Sequence, residues 1–295
     1  MFKIISRASS ANIGAGFDCL GICLSIENTF IFSEYENAVI INNHADTLRN
    51  KNNLIVKSYY KACEVMGIKP GSGLKLDVKT VVPLSRGLGS SATCITAGVT
   101  AAFLFGGFEL DKNDIFDLAA QIEGHPDNVA PNIFGSGTLA YTYKDRFKYL
   151  TFSIDPKYFF IAMIPDFKLS TQRSREAVPK YYSREDAVFN MTRTAMTMHA
   201  LQNGDSELLA EALDDRMHQK YRAPLIKGYE NVVRTSKAVG AIGTFISGAG
   251  PTIMAVADNK DVYKRLQSSF SQSKLNWQVE LLSVNTEGIE CFRMK

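Results

Sequence analysis

Pro83-Leu84-Ser85-Arg86-Gly87-Leu88-Gly89-Ser90-Ser91-Ala92-Thr93 is the stretch on which the reading of this chain turns. Its glycines and adjacent hydroxyls lead into an apolar run, Cys94 to Phe105, with few helix breakers. That order predicts a turn feeding the N-terminus of a helix over 90–105. The first amides of a helix have no intrahelical acceptor and the helix dipole adds positive potential there, so the turn is an anion site suited to phosphate. Gly87 and Gly89 let the backbone approach an oxygen that a side chain would block. Ser90 or Ser91 can offer a hydroxyl to a phosphate oxygen or a magnesium ion.

Other readings of the same loop are weaker. It has no lysine and no Gly-Lys-Ser/Thr, so it is not a Walker loop. Gly87, Gly89 and Ala92 fit the relaxed dinucleotide pattern G-x-G-x-x-A, with Glu109 downstream. However, Leu74-Lys75-Leu76-Asp77-Val78-Lys79 alternates apolar and charged residues, as a half-exposed strand does, where a dinucleotide fold needs a buried parallel one. Pro83 and Arg86 also separate that strand from the glycines. The plain structural alternative is a glycine-rich turn whose serine caps the helix.

The 295 residues are 45% hydrophobic and 21% charged, ordinary for a soluble enzyme of one large or two smaller domains. A net charge of +3 gives no argument for nucleic acid or an anionic membrane. No stretch is apolar for long enough to span a bilayer, and Met1-Phe2-Lys3-Ile4-Ile5-Ser6-Arg7 turns polar too soon for a signal peptide. The 5 cysteines are odd in number, form no C-x-x-C and sit mostly in apolar contexts, which points to reduced, buried thiols in the cytoplasm. With 4 histidines and no H-E-x-x-H, structural zinc is not expected.

Strands are expected over 2–8, 25–41, 74–82, 137–143, 148–154 and 158–164. Helices are expected over 53–66, with Gly67 as its stop, and from Asp111, with Ile115, Leu118, Ala119 and Ile122 on the apolar face. Helical patterns dominate from 183 to 240, where Met191, Ala195, Met198 and Leu201 form a stripe that reads as core. Strands over 242–246, 252–257 and 276–284 flank a helix over 260–272. Strands mixed with helices in both halves argue for α+β architecture, with a boundary near 150–165.

Four segments together carry a family resemblance. Ser9-Ser10-Ala11-Asn12-Ile13-Gly14-Ala15-Gly16-Phe17-Asp18-Cys19-Leu20-Gly21, the loop at 83–93, and Ser247-Gly248-Ala249-Gly250-Pro251-Thr252 resemble, in order, the motifs of the GHMP kinases. Glu123-Gly124-His125-Pro126-Asp127-Asn128-Val129-Ala130-Pro131-Asn132 and the first segment are those of the homoserine kinases within that superfamily. The resemblance implies an α+β, two-domain GHMP kinase fold. Its N-terminal nucleotide-binding domain would cover 1–155 and a C-terminal, ferredoxin-like domain 156–295. The implied reaction is ATP-dependent phosphorylation of the side-chain hydroxyl of L-homoserine, a step toward threonine, in a homodimer.

Site residues follow from the same resemblance. The loop, Pro83 to Thr93, would hold ATP, and Ser90, Ser91 and Glu123 would hold Mg2+. Homoserine is a zwitterion, so its pocket needs both signs of charge: Asp18 for the ammonium, Arg175 and Arg222 for the carboxylate. Ser170-Thr171-x-x-x-Arg175 and Tyr221-Arg222-Ala223-Pro224 are the contexts that single out these arginines, and Thr171 joins the substrate site. Asn12, His125 and Asn128 would orient the hydroxyl and the γ-phosphate, with Glu123, Asn128 and Arg175 serving the chemical step. Asn128 stands where many relatives carry an aspartate, so transfer without a dedicated protein base is expected. The rivals are another small-molecule GHMP kinase, for mevalonate, shikimate or a sugar, and a catalytically silent ligand-binding regulator of the same fold.

Overall fold

The computed structural model describes residues 1–36, 39–43, 52–271 and 276–294. β1 (Phe2–Ala11) and β2 (Leu20–Glu34) are the antiparallel spine of the first sheet. Their register shifts between Arg7 and Ser9, and this bulge lets β2 serve two neighbours. Its C-terminal half pairs with β4 (Leu74–Lys79), beside which β3 (Val39–Asn43) runs parallel. Its N-terminal end pairs with β5 (Gly137–Tyr143), and β6 (Arg146–Phe152) hairpins onto β5. β4 buries Leu74, Leu76 and Val78 and turns its lysines outward, as its alternation requires.

Helices α1 (Leu54–Val65), α2 (Ser90–Gly106), α3 (Lys112–Glu123) and α4 (Val129–Phe134) cover this sheet. α2 is apolar all round and accordingly lies in the middle of the core formed by Phe30, Phe32, Ile55, Ile95 and Phe116. Its N-terminus is therefore fixed in place before any ligand arrives.

The second sheet has the order β10-β7-β9-β8, with β7 (Phe159–Pro165), β8 (Gly243–Ile246), β9 (Ile253–Ala257) and β10 (Trp277–Leu282), every pair antiparallel. Between β7 and β8 lie α5 (Thr171–Glu176), α6 (Arg184–Asn203), α7 (Ser206–Ala212), α8 (Gln219–Arg222) and α9 (Tyr229–Ala238); α10 (Asp261–Ser271) joins β9 to β10. This is the β-α-β-β-α-β, ferredoxin-like arrangement. Phe160, Ala162, Met254 and Val256 face Ala8, Ile22 and Leu24 of the first sheet in a shared core. Ile161, Met163, Ile253 and Ala255 face the opposite way, under Val232, Leu266 and Phe270. Burial on both faces explains why β7 is apolar without interruption. The cleft between the two units thus rests on continuous packing.

Some expectations shift. The strand expected over 25–41 begins at Leu20 and stops at Glu34, with β3 separate; residues 37 and 38 lie outside the described residues, as does residue 272 of the helix expected over 260–272. The sheets change over between Phe152 and Phe159, but β11 (Glu290–Arg293) returns to cover the edge of β1, where Glu290 pairs with Arg7. The Met191–Leu201 stripe is only in part the buried face of α6. Its C-terminal end is buried, with Leu201 in the shared core and Met198 packed against it, but Met191 is 63% exposed and Ala195 is exposed too, and Asn190 and Thr197 complete the inward face. That face is polar at one end because Asn190 and Thr194 must satisfy the carbonyl of Ala15. No described helix is long and apolar enough to cross a membrane, and all five cysteines are free thiols.

Candidate active site

α2 begins without a serine cap. Its N-cap is Gly89, left-handed at φ 67°, and no side chain caps the helix, so its first amides remain open to an incoming anion. Gly87 is also left-handed, at φ 78°. Both glycines answer to the protein's own packing as well as to a ligand. A Cβ on Gly89 would fall on Ser9 Oγ and 3.2 Å from Asn128 Oδ1; one on Gly87 would fall on the Ser247 carbonyl and 2.9 Å from that of Gly250. The loop is clamped on several sides. Leu88 is buried in the shared core and its carbonyl accepts from Ser9 N, Ser247 Oγ donates to Gly87 O (2.5 Å), and Thr252 N donates to Arg86 O (3.2 Å).

A cleft of about 340 Å³ opens in front of these amides. Leu84, Ser85, Arg86, Gly87, Gly89, Ser90 and Ser91 line it, whereas Pro83, Leu88, Ala92 and Thr93 do not. The Arg86 guanidinium is occupied elsewhere, donating to the carbonyls of Pro165 (2.8 Å) and Asp166 (2.6 Å) as a strut to the second sheet. Cys94 also borders the cleft, but burial pushes its thiol up to about 12 and keeps it unreactive. A larger groove of about 1270 Å³ runs beside β8 and α9, away from the loop, and none of the expected site residues lines it.

One wall of the cleft is acidic. Glu123 ends α3, yet its side chain is folded inward, and Ser91 Oγ donates to it at 2.7 Å. Burial raises the pKa of Glu123, opposed by the Ser91 hydrogen bond and by His125. His125 Nδ1 lies 2.6 Å from Asp127 Oδ1, and its Nε2 lies 3.9 Å from Glu123 Oε1. Burial works against charging His125, but the hydrogen bond and charge of Asp127, with Glu123, prevail and raise its pKa. Asp127 is 1% exposed. Burial would raise its pKa too, but the His125 contact, Arg175 and the amide of Asn128 hold it below the ordinary carboxylate range. Asn128 starts α4, and its Oδ1 accepts from Ser9 Oγ at 3.0 Å.

The opposite wall carries the arginines. Thr171 and Arg175 are one helical turn apart on α5 and both border the cleft. Arg175 grips Asp18 through two nitrogens, at 3.0 and 3.2 Å. The two residues proposed for opposite ends of a zwitterion are thus each other's partner here. Asn12, left-handed at φ 61°, braces this corner: its Oδ1 accepts from Asp18 N and its Nδ2 donates to Gly248 O, both at 2.8 Å. Arg222 is 1% exposed. It donates to the carbonyls of Gly248 (2.9 Å) and Ser174 (3.4 Å) and stacks over Phe17. Among the described residues, no carboxylate forms an ion pair with it. Burial lowers its pKa, against the field of Asp18. A buried, cleft-facing guanidinium without a counter-ion is costly unless a ligand supplies one.

Comparison with known proteins shows the family. A family profile described as the GHMP kinases N terminal domain matches residues 53–136, and one described as GHMP kinases C terminal matches 197–274. The chain is 39% identical over 290 residues to a homoserine kinase of Clostridium botulinum, covering 98% of this chain and 97% of that one. It is 37% identical over 302 residues to a homoserine kinase of Caldicellulosiruptor bescii, covering 100% and 98%. The chain belongs to the homoserine kinase family of the GHMP kinases. The fold agrees as well: the crystal structure of homoserine kinase from Cytophaga hutchinsonii matches with a TM-score of 0.85 at 24% identity, over 99% of this chain and 97% of that one.

Family motifs account for most of the cleft, but not all of it. Asp127 is buried against His125 and the Asn128 amide, although neighbouring side chains usually diverge; a tight turn turns it inward. Ser9, Phe17 and His218 brace the acidic wall and the Arg222 pocket without lining the cleft. Ser9 and Phe17 lie inside a recognised motif. For His218 the available signal is its position four residues before Arg222 on the same helical face.

Proposed function

We propose that the protein transfers the γ-phosphoryl group of ATP to the side-chain hydroxyl of L-homoserine, giving O-phospho-L-homoserine and ADP, a step toward threonine. The observation that carries this reading is Arg222, a buried guanidinium with no anionic partner among the described residues, in the same cleft as the uncapped start of α2. One end of the cleft suits phosphates and the other suits an α-carboxylate. The ammonium of homoserine fits between Asp18 and the acidic wall, entering where Arg175 now holds Asp18.

Phosphoryl transfer asks mainly for alignment and charge neutralisation. Open amides from Gly89 onward meet the phosphate oxygens, in an orientation fixed by the clamps on the loop. The Ser91 hydroxyl and the Glu123 carboxylate, 2.7 Å apart, are the hard oxygens that would hold Mg2+. Ser90 also borders this position. When bound, Mg2+ neutralises charge on the β- and γ-phosphates. A metal partner also explains a carboxylate kept out of solvent at a helix C-terminus, where the dipole disfavours it. Asn128 and His125 border the space between the phosphate and acceptor ends and can orient the hydroxyl.

No dedicated base is invoked. Asp127, held ionised and engaged by His125 and the Asn128 amide, is a weak acceptor for a hydroxyl proton. A loose transition state lets that proton leave late, to a phosphoryl oxygen or to water. Family resemblance further supports a cytoplasmic homodimer, which sedimentation equilibrium would check.

A coupled ADP-release assay with homoserine, mevalonate, shikimate and galactose tests the assignment. Homoserine should lead in kcat/KM by more than about tenfold, the discrimination one charged hydrogen bond supplies. A lead by an acceptor without an ammonium group would overturn it.

A further inference from the structure

Among the described residues no carboxylate pairs with Arg222, so other groups fix its fork. His218 is fully buried and sits one helical turn before Arg222, at the start of α8. Its Nε2 lies 2.8 Å from the carbonyl of Gly14, and its Nδ1 lies 3.4 Å from Arg222 Nη1. A carbonyl can only accept and a guanidinium can only donate. The imidazole therefore carries its proton on Nε2 and presents the Nδ1 lone pair to the arginine. Phe17 closes the arrangement, stacking on the His218 ring (5.2 Å between centroids, 16° between planes) and lying 5.0 Å under the Arg222 guanidinium.

We infer that His218 is a positioning residue for acceptor binding: its neutral Nε2–H form ties the turn that carries Asp18 to the guanidinium of Arg222, setting the spacing between the two charged poles of the pocket. The inference rests on the homoserine reading above and adds a residue to it. Gly14 and Asp18 lie in successive turns of the short loop between β1 and β2, so a single ring joins the anionic and cationic sides of the site. A protonated His218 would put an N–H against an N–H and a cation beside a cation at 3.4 Å. Burial and the Arg222 charge hold its pKa below the ordinary histidine range, against Asp215, the Gly14 hydrogen bond and Asp18.

Two isosteres separate the halves of the link. Asparagine can place an acceptor where Nδ1 stands, and glutamine a donor where Nε2 stands. His218→Gln should raise the homoserine KM by about tenfold, the worth of a hydrogen bond to a charged group, and leave the ATP KM within about twofold. His218→Asn keeps an acceptor for Arg222 but loses the donor to Gly14 O, so the homoserine KM should rise here too, by about three- to tenfold, the worth of a neutral hydrogen bond, with the ATP KM again within about twofold. A homoserine KM within about twofold of wild type in either variant, or an ATP KM rising in step with that of homoserine, would overturn the inference. Histidine-selective 15N NMR of the wild-type protein gives a readout that no folding defect can blur. His218 should appear as the neutral Nε2–H tautomer at pH 7, with its Nδ1 resonance moving on addition of homoserine. A charged ring, an Nδ1–H tautomer, or an Nδ1 signal indifferent to homoserine would also overturn it. Absence of homoserine-dependent ADP release by the wild type would instead sink the substrate reading, a separable result.

Discussion

Replacing Arg222 with methionine should separate ligand binding from folding. The guanidinium is 1% exposed and makes three hydrogen bonds, to Gly248 O at 2.9 Å, Ser174 O at 3.4 Å and His218 Nδ1 at 3.4 Å. Losing them leaves two carbonyls underused, at a cost of about 1–3 kcal/mol each if no water replaces the donor. Against that, the substitution removes a buried charge with no counter-ion among the described residues, which by itself destabilises the ligand-free protein. Methionine fills similar volume, so the opposing effects should leave stability within about 2 kcal/mol of wild type. Binding has no such compensation. A charge-assisted hydrogen bond to a carboxylate is worth about 1.5–3 kcal/mol, so the homoserine KM should rise about ten- to hundredfold. The ATP KM should not move. Coupled ADP-release kinetics with each substrate varied in turn give both values. Melting curves give a second readout: homoserine should raise the Tm of the wild type and not that of Arg222→Met. An equal rise in both KM values, or an undiminished Tm shift with homoserine, would refute the reasoning.

Glu123→Gln keeps the Ser91 hydrogen bond but removes the anion, so kcat should fall by about a hundredfold or more, as loss of a group that stabilises transition-state charge does. Because burial raises the pKa of Glu123, its contribution to stability is present below the unfolded value and lost as pH rises through the folded one. The variant should therefore melt above wild type at pH 8, with the gap closing near pH 4; a lower Tm at pH 8 would contradict this. Asp127→Asn breaks a pair whose carboxylate pKa is lowered and whose histidine pKa is raised. The carboxylate contributes above its unfolded pKa and the histidine below its folded one, so the loss of Tm should be larger at pH 6 than at pH 9. The variant should also retain measurable turnover, and selective loss of the chemical step with folding and homoserine affinity intact would show Asp127 to be a base. Gly89→Ala meets Ser9 as well as a left-handed backbone, whereas Gly67→Ala, at φ 65° with nothing within 4 Å, meets only the latter. The Gly67 variant should lose about 1 kcal/mol and the Gly89 variant clearly more, measured by urea unfolding; equal losses would mean that the loop is not clamped.

The sequence carried the site's chemistry further than its mechanics. Glycines, hydroxyls and an apolar run placed the loop before α2, because local conformation and burial both follow from those residues. Motif context singles out Thr171 and Arg175, and α5 then sets them one turn apart. What escaped depends on distant partners. Gly89 reads as room for a phosphate, yet its neighbour is Ser9 on β1, far away in sequence. Arg86 reads as a phosphate ligand because of where it stands, but two carbonyls at the end of β7 take its guanidinium. The Met191 stripe has helical period, but the side of α6 that packs inward is set by the Ala15 carbonyl, which needs Asn190 and Thr194. β11 is too short to announce itself, and only the open edge of β1 gives it a place.

A crystal structure with a non-hydrolysable ATP analogue, Mg2+ and L-homoserine tests the central claim most directly. The account predicts phosphates against the amides that follow Gly89, the metal between Ser91 and Glu123, and the homoserine carboxylate on Arg222 with its hydroxyl toward the γ-phosphate. Phosphates bound away from that helix end, or an Arg222 fork still without an anion when the acceptor site is filled, would contradict it.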